Sequence, residues 1–215
     1  YALVPEEMRK AIFENRAPYD NIDAVFISHA HGDHFDAADT VNYLLSNSNV
    51  TLFAPKQATD QLIDLKGYDK VKSRIKSVDL KKDQAAKQFE FGDMLVEAVR
   101  IPHAGWPQRA DIENIVFRVG GKKQIRVMHF GDADPHEQHY AIHEKFWRSK
   151  RTDISFVPFW FGLTESGKRL IESGLNTEKA IGVHVPTKLP EQLKKTNFDF
   201  FHKPGESVEI TSSLN

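Results

Sequence analysis

The chain has 215 residues, enough for a substantial core in one domain, and its 40% hydrophobic and 27% charged content is ordinary for a soluble protein. Its 29 Lys and Arg nearly cancel its 30 Asp and Glu, which excludes a global field that would favour nucleic acid or an anionic membrane. It contains no cysteine, so disulfides and thiolate metal ligands are excluded, and no apolar run reaches membrane-spanning length.

The acids and proline around Pro5, Glu6 and Glu7 predict a short helix over 5–14. A strand is expected over 22–28, where Ala24-Val25-Phe26-Ile27 is apolar and partly β-branched. A helix over 36–45 with Asp36 as N-cap, a strand over 50–54 and a helix over 55–65 complete a βαβα alternation, the pattern of a sheet covered by helices. From residue 74 strands dominate: 75–80, 88–91, 94–101, 112–119 and 124–130, the last two joined as a hairpin by Gly120-Gly121. A helix over 135–147, a strand over 154–159, a helix near 165–172, a strand over 180–185 and a closing segment follow. One domain over 1–215 accounts for all of these elements.

The densest chemistry stands at the end of the first strand. Ser28-His29-Ala30-His31-Gly32-Asp33-His34-Phe35 places three histidines and one aspartate within six positions. Imidazole nitrogen and carboxylate oxygen suit zinc and its first-row neighbours, and a histidine-rich strand end costs desolvation without gaining packing. Strand alternation sends His29 and His31 to one side. Gly32 is expected to supply a sharp turn that lets Asp33 and His34 face a second ion. Downstream, His103 follows 99–102, Asp132 follows Gly131, and His184 follows 180–183, each after an apolar run. His136, His139 and His143 fall at helical spacing and read as a solvated helix face, while His129 and His202 carry no partner pattern.

The H-x-H-x-D-H run, together with His103, Asp132 and His184 in that order, resembles the metallo-β-lactamase superfamily, and closest its branch of sugar-phosphate lactonases and N-acyl-phosphatidylethanolamine phospholipase-like enzymes. The resemblance implies an α/β (α+β) fold, a four-layer αββα sandwich of two mixed sheets. It assigns His29, His31 and His103 to a first metal, Asp33, His34 and His184 to a second, and Asp132 to a bridge between them. Superfamily members place several strands before the motif, yet only 28 residues precede His29. With Tyr1 rather than Met at the start, the expectation is an N-terminally incomplete view of a longer product. A signal peptide could have preceded it, so the compartment stays open between cytoplasm and periplasm.

The implied activity is a metal-dependent hydrolase in which two divalent ions, zinc first and Mn2+ or Fe2+ as alternatives, share a hydroxide that attacks an ester-like (lactone) or phosphodiester bond of a small molecule. Asp33 would ligate the second metal and orient the attacking oxygen. The alternative on the same ligands is an iron-dependent, sulfur dioxygenase-like oxidoreductase. A nuclease fits the charge balance less well. Asp36 and Asp134 are candidates to hold the far ring nitrogens of the ligand histidines. Trp106 and Phe159-Trp160-Phe161 are candidate pocket aromatics, and Arg109, Lys168 and Arg169 candidate anion contacts.

Overall fold

The computed structural model describes residues 4–121 and 125–210. These fall into two compact units, 4–79 and 80–210, each built on its own buried apolar cluster.

The first unit runs α1 (Glu6–Phe13), β1 (Ala24–Phe26), α2 (Ala37–Ser46), β2 (Thr51–Pro55), α3 (Lys56–Thr59), α4 (Tyr68–Val71) and β3 (Ile75–Val78). Its three strands are all parallel in the order β1-β2-β3, with Val25 opposite Leu52 and Leu52 opposite Ile75. The central strand β2 is apolar without alternation, and Leu52, Phe53 and Ala54 are buried, as a parallel strand covered on both faces requires. Helix α2 starts where the sequence predicts: the Asp36 carboxylate accepts the Asp39 amide at 2.7 Å. Its other end is closed by Arg74, whose guanidinium donates to the carbonyls of Leu44, Asn47 and Val50 at 2.5, 3.0 and 2.6 Å. The helix expected over 55–65 is instead the short α3 followed by a 3-10 turn at Asp60–Leu62, and α4 was not foreseen.

The second unit contains β4 (Lys87–Phe91), β5 (Met94–Arg100), β6 (Ile115–Gly120), β7 (Val127–His129), α5 (Gln138–Ala141), α6 (Glu144–Ser149), β8 (Thr152–Pro158), α7 (Glu165–Arg169), β9 (Thr177–Val183) and α8 (Glu191–Lys194). The strands form one six-stranded mixed sheet in sequence order, antiparallel from β4 to β7 and parallel from β7 to β9. The hairpin expected at Gly120-Gly121 appears as the antiparallel β6–β7 pairing, with Val119 opposite Val127; residues 122–124 of its turn lie outside the described residues. Two sheets carrying helices give the α/β class expected from the resemblance, the smaller sheet being wholly parallel.

The helix expected over 135–147 is two helices, α5 and α6, parted at Ile142 and His143. At the break the Tyr140 carbonyl accepts the His143 amide at 2.9 Å, a tight turn in place of the next α-helical bond. Tyr140 O accepts Trp147 Nε1 at 2.9 Å, and Phe146 O accepts Arg118 Nη1 at 3.0 Å.

Candidate metal centre

The first unit presents His29, His31, Asp33 and His34 together. Beyond β1 the chain stays extended, with Ile27 N donating to Phe53 O at 2.9 Å, so alternation carries His29 and His31 to one side. Their rings lie 4.7 Å apart, with His29 Nε2 3.1 Å from His31 Nδ1. Ser28 Oγ sits 3.1 Å from His29 Nδ1 and fixes that ring. The amides of His34 and Phe35 then both donate to His31 O at 2.9 Å, which turns the chain and sets the His34 ring 4.1 Å from that of His29. Asp33 Oδ2 is 3.7 Å from His34 Nε2, and the Asp33 side chain is 45% exposed. The expected role of Gly32 is corrected: it is not among the positive-φ glycines, and a Cβ there would meet nothing within 4 Å. The turn is made by the paired amides on His31 O.

In the second unit, two antiparallel steps from β5 to β7 and two parallel steps from β7 to β9 point these three strands the same way. His103, Asp132 and His184 each follow one of them, so all three come from one edge of the sheet, where open α/β sheets place their ligands. Asp132 Oδ2 lies 3.5 Å from His103 Nε2 and 3.3 Å from His184 Nε2. Both distances lie at or beyond the long end of N–H···O hydrogen bonds, most of which span about 2.7–3.2 Å. Donors sharing one tetrahedral ion at bonds of about 2.0–2.2 Å stand about 3.3–3.6 Å apart. The spacing is that of ligands around an ion. His103 Nδ1 donates to Ala104 O at 2.7 Å, which in the neutral ring leaves the Nε2 lone pair facing Asp132.

The supports of this edge were not visible in the sequence. Asn114, fully buried, accepts the Asp132 amide on Oδ1 at 2.9 Å and donates from Nδ2 to Ile101 O and Phe130 O at 3.3 and 3.1 Å. Ala104 N donates to Asp132 O at 2.7 Å and Asp134 N to Pro102 O at 2.8 Å, tying the two ligand segments together. Trp160 Nε1 donates to Ala133 O at 3.1 Å while its ring packs edge-on to His184 at 5.4 Å, so this aromatic positions ligands as well as walling them. His184 itself has φ +64°, a left-handed conformation seldom taken outside functional or turn positions. Gly182, two residues earlier, is required by close approach, because a Cβ would stand 2.7 Å from the Phe198 ring.

Other expectations are corrected. His139 and His143 are 1% and 4% exposed, not a solvated face, and burial holds both imidazoles below their ordinary pKa. Asp36 caps α2, and the Asp134 carboxylate engages His136 and His139, so neither holds a far ring nitrogen of the proposed ligands. Arg169 forms a two-point pair with Glu137 at 3.0 and 2.9 Å, and Lys168 pairs with Glu165 at 2.8 Å; both are surface pairs. Trp106 lies under the Lys82 ammonium, 4.2 Å from its ring.

Imidazoles and carboxylates without a thiolate suit zinc, manganese or iron, and in each unit one such ring is held from behind, His29 by Ser28 and His103 by the Ala104 carbonyl. No curated protein matches the chain. Among solved structures it is similar to one described as a possible metal-dependent hydrolase from Veillonella parvula DSM 2008, at 15% identity and a TM-score of 0.52, over 77% of this chain and 63% of that one. It is also similar to a new diphosphatase from the PhnP family, at 14% identity and a TM-score of 0.50, over 96% of this chain and 79% of that one. The profile of the β-lactamase superfamily domain matches residues 4–197, nearly the whole chain. The chain therefore belongs to the β-lactamase superfamily, a family of enzymes.

Proposed function

We propose that His29, His31, Asp33, His34, His103, Asp132 and His184 together hold two divalent metal ions, and that the enzyme hydrolyses an ester-like (lactone) or phosphodiester bond of a small molecule. The observation that supports this reading is the Asp132 carboxylate, which stands from His103 and His184 at the distances that ligands sharing an ion take. His29, His31 and His103 would take one ion, Asp33, His34 and His184 the other, and Asp132 both. When bound, such ions supply Lewis-acid activation of a water and of the substrate oxygen. The chain's own part is orientation. Asp33, half-exposed on its turn, accepts a hydrogen bond from the attacking water and aligns it. Ser28 and the Ala104 carbonyl hold the His29 and His103 rings so that no reorganisation is needed at reaction. The Trp160 ring excludes water beside His184.

One structural neighbour is a diphosphatase, so a substrate panel should include diphosphates as well as phosphodiesters, lactones and β-lactams. Zinc-loaded enzyme should cleave a phosphodiester or lactone without oxygen and turn over β-lactams little. Asp33→Asn should keep the fold and lower kcat/KM by on the order of 10²-fold or more. Oxygen consumption stoichiometric with product would replace this reading with the iron-dependent oxidoreductase.

A further inference from the structure

Three more metal-type side chains of the second unit, none of them among the seven residues above, converge on one another. One donor atom each of Asp134, His136 and His139 lies within 4.8 Å of the others. Asp134 and His139 are 3% and 1% exposed, while the His136 side chain is 65% exposed. Asp134 Oδ1 is 3.6 Å from His139 Nε2, too long for a hydrogen bond and near the edge of a tetrahedral ion site. His136 closes directly on the same oxygen, and its amide donates there at 3.0 Å.

His139 supplies the second, independent observation. Both of its ring nitrogens are buried without a hydrogen-bond partner among the described residues. An imidazole always carries at least one N–H, and a buried polar group left unmade costs about 1–3 kcal/mol. The contact with Trp106, edge-on at 5.8 Å, does not call for a histidine, since a phenylalanine would meet it equally well.

We propose that Asp134, His136 and His139 form a separate site for one zinc-like divalent transition-metal ion, with an open fourth position on the solvent side beside His136. Pro135 and the turn in which His139 N donates to His136 O at 3.0 Å preset the spacing of the three donors. His136, the exposed member, rotates off Asp134 to admit the ion. With a single carboxylate, and with the charge of Lys82 acting on His139, the site is expected to fill at higher metal concentration than the seven-residue centre. Bound metal would clamp 134–139, the segment directly after Asp132, so its role is structural or regulatory.

The test is metal stoichiometry on the full chain. Metal-free protein is dialysed against graded free zinc and analysed by elemental mass spectrometry, alongside His136→Ala and His139→Gln, with circular dichroism to verify folding. The variants should bind one equivalent fewer than wild type. With copper loaded in place of zinc, electron paramagnetic resonance should lose one two-nitrogen signal. Because His136 is exposed, its variant decides the matter even if His139→Gln does not fold. Equal stoichiometry in folded wild type and His136→Ala would overturn the site. A wild type that binds one equivalent, lost in His136→Ala, would support this site and contradict the two-ion centre.

Discussion

Asn114 has no ionisable group and no place in any motif, yet it holds the ligand edge of the larger sheet. Truncation to Ala leaves the Asp132 amide and the carbonyls of Ile101 and Phe130 without their partner. Asn114→Ala should therefore cost about 1–3 kcal/mol in urea unfolding and weaken metal binding by about 10–100-fold. Asn114→Asp keeps the acceptor for Asp132 N but loses both donations, and should recover part of the metal affinity only. Gly32 gives the opposite forecast. It stands inside the metal motif, but its backbone is not left-handed and a Cβ has open space. Gly32→Ala should fold with unchanged or slightly raised stability, measured by thermal melting, since Ala narrows the unfolded ensemble. A loss above about 2 kcal/mol would show that the turn needs glycine after all.

Among the elements, α2 depends on both ends. Asp36 was readable as its N-cap because capping is local, three residues from donor to acceptor. The clamp on its C-terminal end was not, because Arg74 is 24 to 30 residues away from the carbonyls it binds. Arg74→Ala should lower stability by about 1–3 kcal/mol, and Arg74→Lys should restore little of it, since an ammonium cannot span three carbonyls as the guanidinium fork does. The break between α5 and α6 teaches the same lesson. Apolar spacing over 135–147 is helical, but the Tyr140 carbonyl at the end of α5 is taken by the Trp147 indole, and no local pattern announces that bond. The proposed ligands were legible for a different reason: metal chemistry admits few residue types, so His29, His31, Asp33 and His34 stand out by identity. Asn114 and Ser28 act through hydrogen bonds that many residues could make and stand out only in three dimensions, and so does the Trp160 bond to the Ala133 carbonyl, although its ring is a candidate from the sequence.

Across the larger unit, a buried ionic cluster and a buried histidine set the response to pH. Glu97 and Arg118 face each other on β5 and β6, 2.9 Å apart, and Lys150 and Gln88 complete the carboxylate at 3.0 Å each. Burial raises the Glu97 pKa, but the hydrogen bonds and charges of Arg118 and Lys150 outweigh it and hold the carboxyl below its ordinary value. Its contribution is thus present above the unfolded value near 4.5 and is lost as pH falls through the lower folded one. Removing the carboxylate in Glu97→Gln strands a buried guanidinium and should cost about 3–5 kcal/mol. His143 acts in the window above. Burial lowers its pKa against the opposing pull of the Lys82 and Arg100 carbonyls and the charge of Asp83, so the unfolded chain binds the proton first. Stability should fall as pH drops through the unfolded value near 6.5. His143→Gln, which keeps a donor for the Lys82 carbonyl, should flatten part of that fall in pH-dependent urea unfolding. A profile identical to wild type would contradict a neutral buried His143.

The proposed ligand set, His29, His31, Asp33, His34, His103, Asp132 and His184, is open to direct test. Anomalous diffraction at the zinc edge from metal-loaded crystals tests it most directly. The account predicts two ions about 3.5–4 Å apart, one bound by His29, His31 and His103, the other by Asp33, His34 and His184, with Asp132 touching both. A single ion at these residues, or a pair whose ligands omit His103 or His184, would contradict it.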